Sequence, residues 1–354
     1  MEIFYITLFF STLISYAGRV NGKRNELNRY FKEPNIIFFY ITTSILILVS
    51  GLRWNIGDTY FYKHSYRLAG LGYDVGYEYA FNRLIIILNK ISSDPQLLLL
   101  VTALITNLFI LGAIKKYSTY FELSVYMYIT SGYYLVTMNG IRQTLAASIF
   151  FYFGIKYIIE KKFIKYLILL GILSLFHSTV PFLLICYFFG QEKPWSKKMG
   201  LFIVGSLFGA VFYNMLIGVG AAVIGEYSIY LTNFNEGGAH ILRIIISAVP
   251  VALAFYKREV LAKKWKFSNV FINISLLNFV FMIFSLHNWI FVRFSMYLSL
   301  VNLVLLPYII KNCFKGNDRK ILYIGCVVAY FVYFFYDQAI TMGIHYRSVI
   351  LGIY

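Results

Sequence analysis

Four stretches of the chain put a cation at the end of an apolar run: Arg53 in GLRWNIGDTYFY, Arg142 in MNGIRQTLA, His177 in LFHSTVP and Arg293 in HNWIFVRFSMY. Arginine suits phosphate because its planar fork offers two parallel charge-assisted hydrogen bonds and stays charged at any physiological pH. Two or three such groups at one depth would grip a diphosphate and stabilise it as a leaving group. Any one of them alone is equally explained as a side chain reaching for a membrane interface, or as the partner of Asp58, Asp74 or Glu78. Four at a common depth favour a shared anion site. Arg142 and Arg293 are the expected clamp, with Arg53 as a third member.

Two groups could take a proton from an attacking hydroxyl. His177 has an ordinary pKa near neutrality, and Asp58 follows Arg53 closely. Each has a plainer reading, His177 as a hydrogen-bond partner of a carbonyl or phosphate oxygen and Asp58 as the ion-pair partner of Arg53. Asp58, Asp74 and Glu78 together offer the hard oxygen ligands that suit Mg²⁺ or Mn²⁺. Their spacings of 16 and 4 match no metal motif. Neither a metal nor a cofactor is expected.

The elements that must carry these groups follow from composition. The 354 residues are 60% hydrophobic, 20% aromatic and only 13% charged, about half the charged fraction of a soluble domain. Several uncharged windows near 20 residues are long enough to cross a hydrocarbon core of about 30 Å as helices. Stretches such as LLLLVTALITNLFILGAI lack the alternation of a barrel strand. An all-α polytopic bundle of about twelve membrane segments is expected, at 2–18, 35–52, 95–114, 121–138, 141–158, 164–177, 178–190, 199–219, 241–256, 268–286, 291–310 and 321–336. The pair at 164–190 is short, and basic residues flank both ends, so it reads as a tight hairpin turning near His177. The whole chain, 1–354, reads as one polytopic domain, and its first apolar run as a retained span.

The net charge of +17 does not indicate nucleic acid. Most of the 32 Lys and Arg residues fall in loops on one side of this topology, which makes that side cytoplasmic and puts both termini outside. All five histidines then fall on the outer side. Segment 78–91, EYAFNRLIIILNKI, is short and amphipathic, and is expected to lie as an interfacial helix in the first outer loop. Residues 220–240 form the second outer loop. Tyrosines crowd both, Tyr60, Tyr62, Tyr66, Tyr73, Tyr77 and Tyr79 in the first, Tyr227 and Tyr230 in the second. Interfacial enrichment explains most of them. Tyr60, Tyr62 and His287 are the candidates for contact with substrate. Asn107, Asn214, Asn273, Asn278 and Asn302 are expected to bond neighbouring helices, and Gly205–Gly209 to mark a close helix contact. Cys186, Cys313 and Cys326 form no disulfide or metal pattern.

With these residues in hand the chain resembles the EpsG family of exopolysaccharide polymerases, relatives of the Wzy polymerases of capsule and O-antigen biosynthesis. The matching stretches are GLRWNIGDTYFY, MNGIRQTLAASIFFYFGIKYIIEKKFIKYLIL and LFHSTVPFLL, in that order, with RFSMY near Arg293; residues 309–354 offer little to match. The resemblance implies a metal-independent glycosyltransferase at the outer face of the plasma membrane. It implies a donor of undecaprenyl-pyrophosphate-linked oligosaccharide, with membrane lipid around it and a Wzz-like chain-length regulator and a flippase as partners. Two rivals share the cationic site. A flippase or transporter of the same lipid would place an acid at mid-membrane, whereas Asp58, Glu226 and Asp337 all read as lying outside the spans. An O-antigen-ligase-like glycosyltransferase would transfer once to a different acceptor.

Overall fold

A computed structural model of the chain describes residues 1–24, 32–213, 215 and 238–353. Among these residues the fold is helical, apart from a two-residue ladder pairing Lys23–Arg24 with Lys32–Glu33 and a bridge between Ser348 and Ile353. Four helical stretches are long and apolar enough to cross a membrane: Glu2–Val20, Gln96–Tyr117, Ile290–Cys313 and Gly316–Thr341. Shorter apolar helices occupy Ile36–Gly51, Phe163–Ser174, Val180–Gln191, Ile241–Tyr256 and Ser268–Phe284. Residues 220–237 of the second outer loop expected at 220–240, with Glu226, Tyr227 and Tyr230, and Asn214, expected to bond a neighbouring helix, lie outside the described residues.

The chain divides into two compact units, one of Met1–Leu184 with Leu303–Tyr354 and one of Ile185–Asn302. In the first, α1 (Glu2–Val20) packs on α2 (Ile36–Gly51), and α2 on α5 (Gln96–Tyr117). Small residues set these approaches. Ser15 and Thr42 meet hydroxyl to hydroxyl at 3.3 Å, and a Cβ on Gly51 would lie 2.7 Å from Leu100 Cδ1. Within lipid such close packing, rather than burial of apolar area, holds helices together.

Two helices, α3 (Thr59–Gly70) and α4 (Tyr79–Asn89), lie between α2 and α5 in the chain. The helix expected at 78–91 is α4, and α3 is an addition. Tyr62 and Tyr66 of α3 join Phe81, Ile85 and Leu88 of α4 in a buried cluster with Leu98 and Leu99. The segment expected at 121–138 is two helices, α6 (Phe121–Thr130) and α7 (Tyr133–Asn139), broken at Gly132, whose φ of +78° suits glycine. The stretch at 141–159 runs as α8 (Ile141–Ile149), a π-turn at Phe150–Gly154 and α9 (Ile155–Ile159). Next comes a helical pair, α10 (Phe163–Ser174) and a 3₁₀ turn at Val180–Leu183 leading into α11 (Leu184–Gln191), with His177 in the connection.

The second unit holds α12 (Lys197–Val211), α13 (Ile241–Tyr256), α14 (Arg258–Lys264), α15 (Ser268–Phe284) and α16 (Ile290–Leu298), with α13 and α16 both packed on α15. The asparagines bond across helices as their burial requires. Asn273 donates to Phe189 and Glu192 carbonyls, Asn278 accepts from Ser295 at 2.6 Å, and Asn107 accepts from Tyr128 at 3.0 Å in the first unit. Gly205 departs from expectation, since among the described residues a Cβ there would meet nothing within 4 Å.

The chain returns to the first unit through α17 (Asn302–Cys313) and α18 (Gly316–Phe334), which continues as a π-turn, Phe335–Thr341. That extension corrects one expectation: Asp337 is buried near the end of the last helical stretch rather than outside it. It is still not central, so the argument against an ion-coupled carrier weakens without reversing. Beyond it, residues 345–348 strap the end of α2. Asn55 Nδ2 donates to the His345 carbonyl at 2.7 Å, Trp54 N to that of Arg347 at 2.7 Å, and Ser348 Oγ to that of Leu52 at 2.6 Å.

Candidate active site

Three helix ends bring three ionisable side chains together in the first unit. Glu78 is the residue before α4, Arg142 is the second residue of α8, and His177 follows α10. Each end is fixed by backbone bonds. Ala80 N donates to the Leu175 carbonyl at 2.8 Å, tying the start of α4 to the end of α10, and His177 N caps the Leu173 carbonyl at 3.1 Å. Glu78 Oε2 is ion-paired with Arg142 Nη1, while Oε1 lies 3.1 Å from His177 Nδ1 and accepts from the Ser178 amide at 3.0 Å.

The electrostatics are those of one carboxylate shared between a guanidinium and an imidazole. Burial alone would raise the Glu78 pKa, but the amides of Glu78 and Ser178 and then the Arg142 guanidinium outweigh it and hold the carboxyl below the usual range. Arg142 stands at the positive end of α8, where an anion is favoured over a cation. Glu78 supplies one negative partner there. The Arg142 guanidinium also lies 4.5 Å over the Tyr77 ring and hydrogen-bonds with Tyr62. Its Nε is buried without a hydrogen-bond partner among the described residues. A carboxylate accepting from His177 Nδ1 fixes the tautomer, so that Nε2 becomes the atom able to take a proton.

Arg53 does something else. It is 1% exposed, and Nε donates to Thr59 Oγ1 at 3.0 Å, Nη1 to the Ser50 carbonyl at 2.5 Å and Nη2 to the Met138 carbonyl at 2.8 Å. Burial pushes it down to about 10, still a cation at neutral pH. This guanidinium joins the ends of α2 and α7, where the sequence suggests a grip on a diphosphate. Around it the backbone is strained, with Ile56 at φ +113° and Gly57 at +50° pressed against Asn139. Asp58 N donates to Asn139 Oδ1 at 2.9 Å, and the Asp58 carboxylate is exposed, one turn before Tyr62 on α3. No Arg53–Asp58 ion pair forms among the described residues.

Of the remaining candidates, Tyr60 is 69% exposed and stacks on His64, whereas Tyr62 is buried beneath Arg142. Asp74 accepts from Gly76 N and Asn82, and among the described residues no metal-holding cluster of three such groups exists. Lys63, which no motif singled out, is buried under Trp54 at 3.7 Å with no hydrogen bond to its ammonium among the described residues. Burial, then Arg53, pushes it down to about 8. Arg293 and His287 belong to the second unit, where Arg293 stands 4.3 Å over Trp289 and His287 stacks on Tyr213 at 4.9 Å.

The joint member that sequence reasoning missed is Glu78, read there as a charge partner and as one of three possible metal ligands. Its signal was present in Glu78 standing directly before an amphipathic helix, where a carboxylate is favoured.

Neither a curated protein nor a solved structure matches the chain. A family model does, over residues 36–345, a span that contains Glu78, Arg142 and His177 and stops within the strap at the end of the chain. That match covers most of the sequence, and the chain therefore belongs to the EpsG family, a family of Wzy-like polymerases.

Proposed function

We infer that the protein joins lipid-diphosphate-linked oligosaccharide repeat units into an exopolysaccharide at the outer face of the plasma membrane, as a multi-pass protein with both termini outside. The observation that carries this reading is the Glu78 bridge between Arg142 and His177. It supplies a base and a cation side by side, which a polymerase with a diphosphate leaving group needs.

In the proposed step, a hydroxyl of the acceptor sugar gives its proton to His177 Nε2 while its oxygen bonds to the anomeric carbon of the growing chain. The bond from that carbon to the lipid diphosphate breaks. The departing diphosphate takes the electron pair, and Arg142 receives its negative charge. Glu78 keeps the imidazole oriented and stabilises the imidazolium that forms, as a carboxylate does in other base dyads. Asp58 remains the alternative base, and Tyr60 a candidate platform for a sugar ring. Arg293 is a further phosphate ligand on its sequence position, tested separately by Arg293→Ala. Undecaprenyl pyrophosphate is the proposed lipid, with a Wzz-like regulator and a flippase as partners.

The test supplies purified protein in nanodiscs with a lipid-diphosphate repeat unit and looks for ladders of longer chains. Ladders that disappear in His177→Ala and survive chelation support the reading. A single addition to a non-repeat acceptor would favour a ligase, and lipid crossing without product a flippase.

A further inference from the structure

The second unit has a cavity of its own, of about 630 Å³. Around it meet the end of α11 with the segment after it to Trp195, the helix α14 that follows α13, and the start of α15. The segments 191–197 and 257–267 are the charged breaks between apolar helices. The cavity thus opens where apolar surface runs out, the depth at which lipid headgroups lie.

Its wall carries Lys193, Arg258 and Lys266 against Glu192 and Glu259. Glu192 is 3.5 Å from Lys198, a partner not in the cavity wall, so cations prevail inside. Neither the Lys193 nor the Lys266 ammonium has an ion-pair partner among the described residues. Trp195 and Trp265 add aromatic surface to the wall. Trp195 is held at φ +62°, its ring edge sits against Phe255 at 5.0 Å, and its buried indole N–H lacks an acceptor among the described residues. Phe255, which also stacks under Arg258, is 49% exposed, and Tyr256 beside it is 69% exposed. Cations, a tryptophan and adjoining open apolar surface are the composition that holds a phosphate with acyl chains attached.

We propose that this cavity binds the headgroup of an anionic phospholipid, with Lys193, Arg258 and Lys266 on its phosphate and the acyl chains lying along the apolar surface at Phe255. The assignment is independent of the polymerase reading. It uses only groups of the second unit.

Two measurements on the full-length protein test it. In nanodiscs containing phosphatidylglycerol, acetylation of Lys193 and Lys266 should slow severalfold relative to phosphatidylcholine nanodiscs, while Lys197 and Lys263 change less. Native mass spectrometry should show phosphatidylglycerol retained by the wild type and by Lys197→Gln/Lys263→Gln, but reduced about tenfold in the charge-matched Arg258→Gln/Lys266→Gln. Equal slowing at all four lysines, or equal retention by both variants, would overturn the proposal. Release of the lipid by millimolar glycerol 1-phosphate would overturn it too, giving the cavity to a soluble phosphate ester.

Discussion

Arg53 and Arg142 look alike in the sequence, each a lone arginine at the end of an apolar run, and they end in opposite conditions. Arg53 is enclosed and donates to two carbonyls and a hydroxyl. Arg142 keeps a quarter of its side chain in the open, at 26%, and pairs with a carboxylate that also holds a histidine. The difference is in the partners. Carbonyls that already belong to helix ends fix an arginine as a joint, whereas a single carboxylate at a helix start leaves it hydrogen-bonding capacity for a second anion. A guanidinium near the membrane rim is thus assigned by what it donates to, which its own motif does not encode.

Removing each arginine in turn should separate the two roles. Arg142→Ala should cut chain growth about 10²–10³-fold, the scale of losing one transition-state cation, with thermal unfolding in detergent little changed. Glu78→Gln should cost about 10²-fold through a misoriented imidazole; a wild-type rate would reduce Glu78 to a passive partner. Arg53→Ala should instead lower stability by about 3 kcal/mol or more, because buried carbonyls lose a charged donor, and lower polymer mainly through lost protein. If Arg53→Ala protein were fully stable yet inactive, the two regions would share one role after all.

Acid sharpens the contrast. A carboxyl held low when folded contributes stability that is fully present above its unfolded pKa of about 4, and that is lost as pH falls through its lower folded value. The stability gap between wild type and Glu78→Gln should therefore stay constant from neutrality down to the carboxylate range and close below it, read by thermal unfolding across pH. Smallest of all, Ser348→Ala should cost about 1 kcal/mol, since it removes one bond of the strap on Leu52, and should leave the rate per folded molecule untouched.

Much of this was legible in the chain. Arg142 and His177 stood out because a cation at an apolar end is costly and needs a reason, and α4 announced itself through Phe81, Ile85 and Leu88. The helix α3 did not. Its buried face is Tyr62, Lys63 and Tyr66, which a hydropathy pattern reads as polar loop. Glu78 is 64 positions from Arg142 and 99 from His177, so only packing could join them. The break at Gly132 and the burial of Asp337 are likewise settled by tertiary neighbours such as Gln338, which crowds Gly132.

The strap has a practical side. Its bonds at His345, Arg347 and Ser348 tie off the strained turn around Ile56 and Gly57. A label or epitope inserted at 345–348 would tug on the knot that keeps Arg53 enclosed, so such insertions belong elsewhere in the chain.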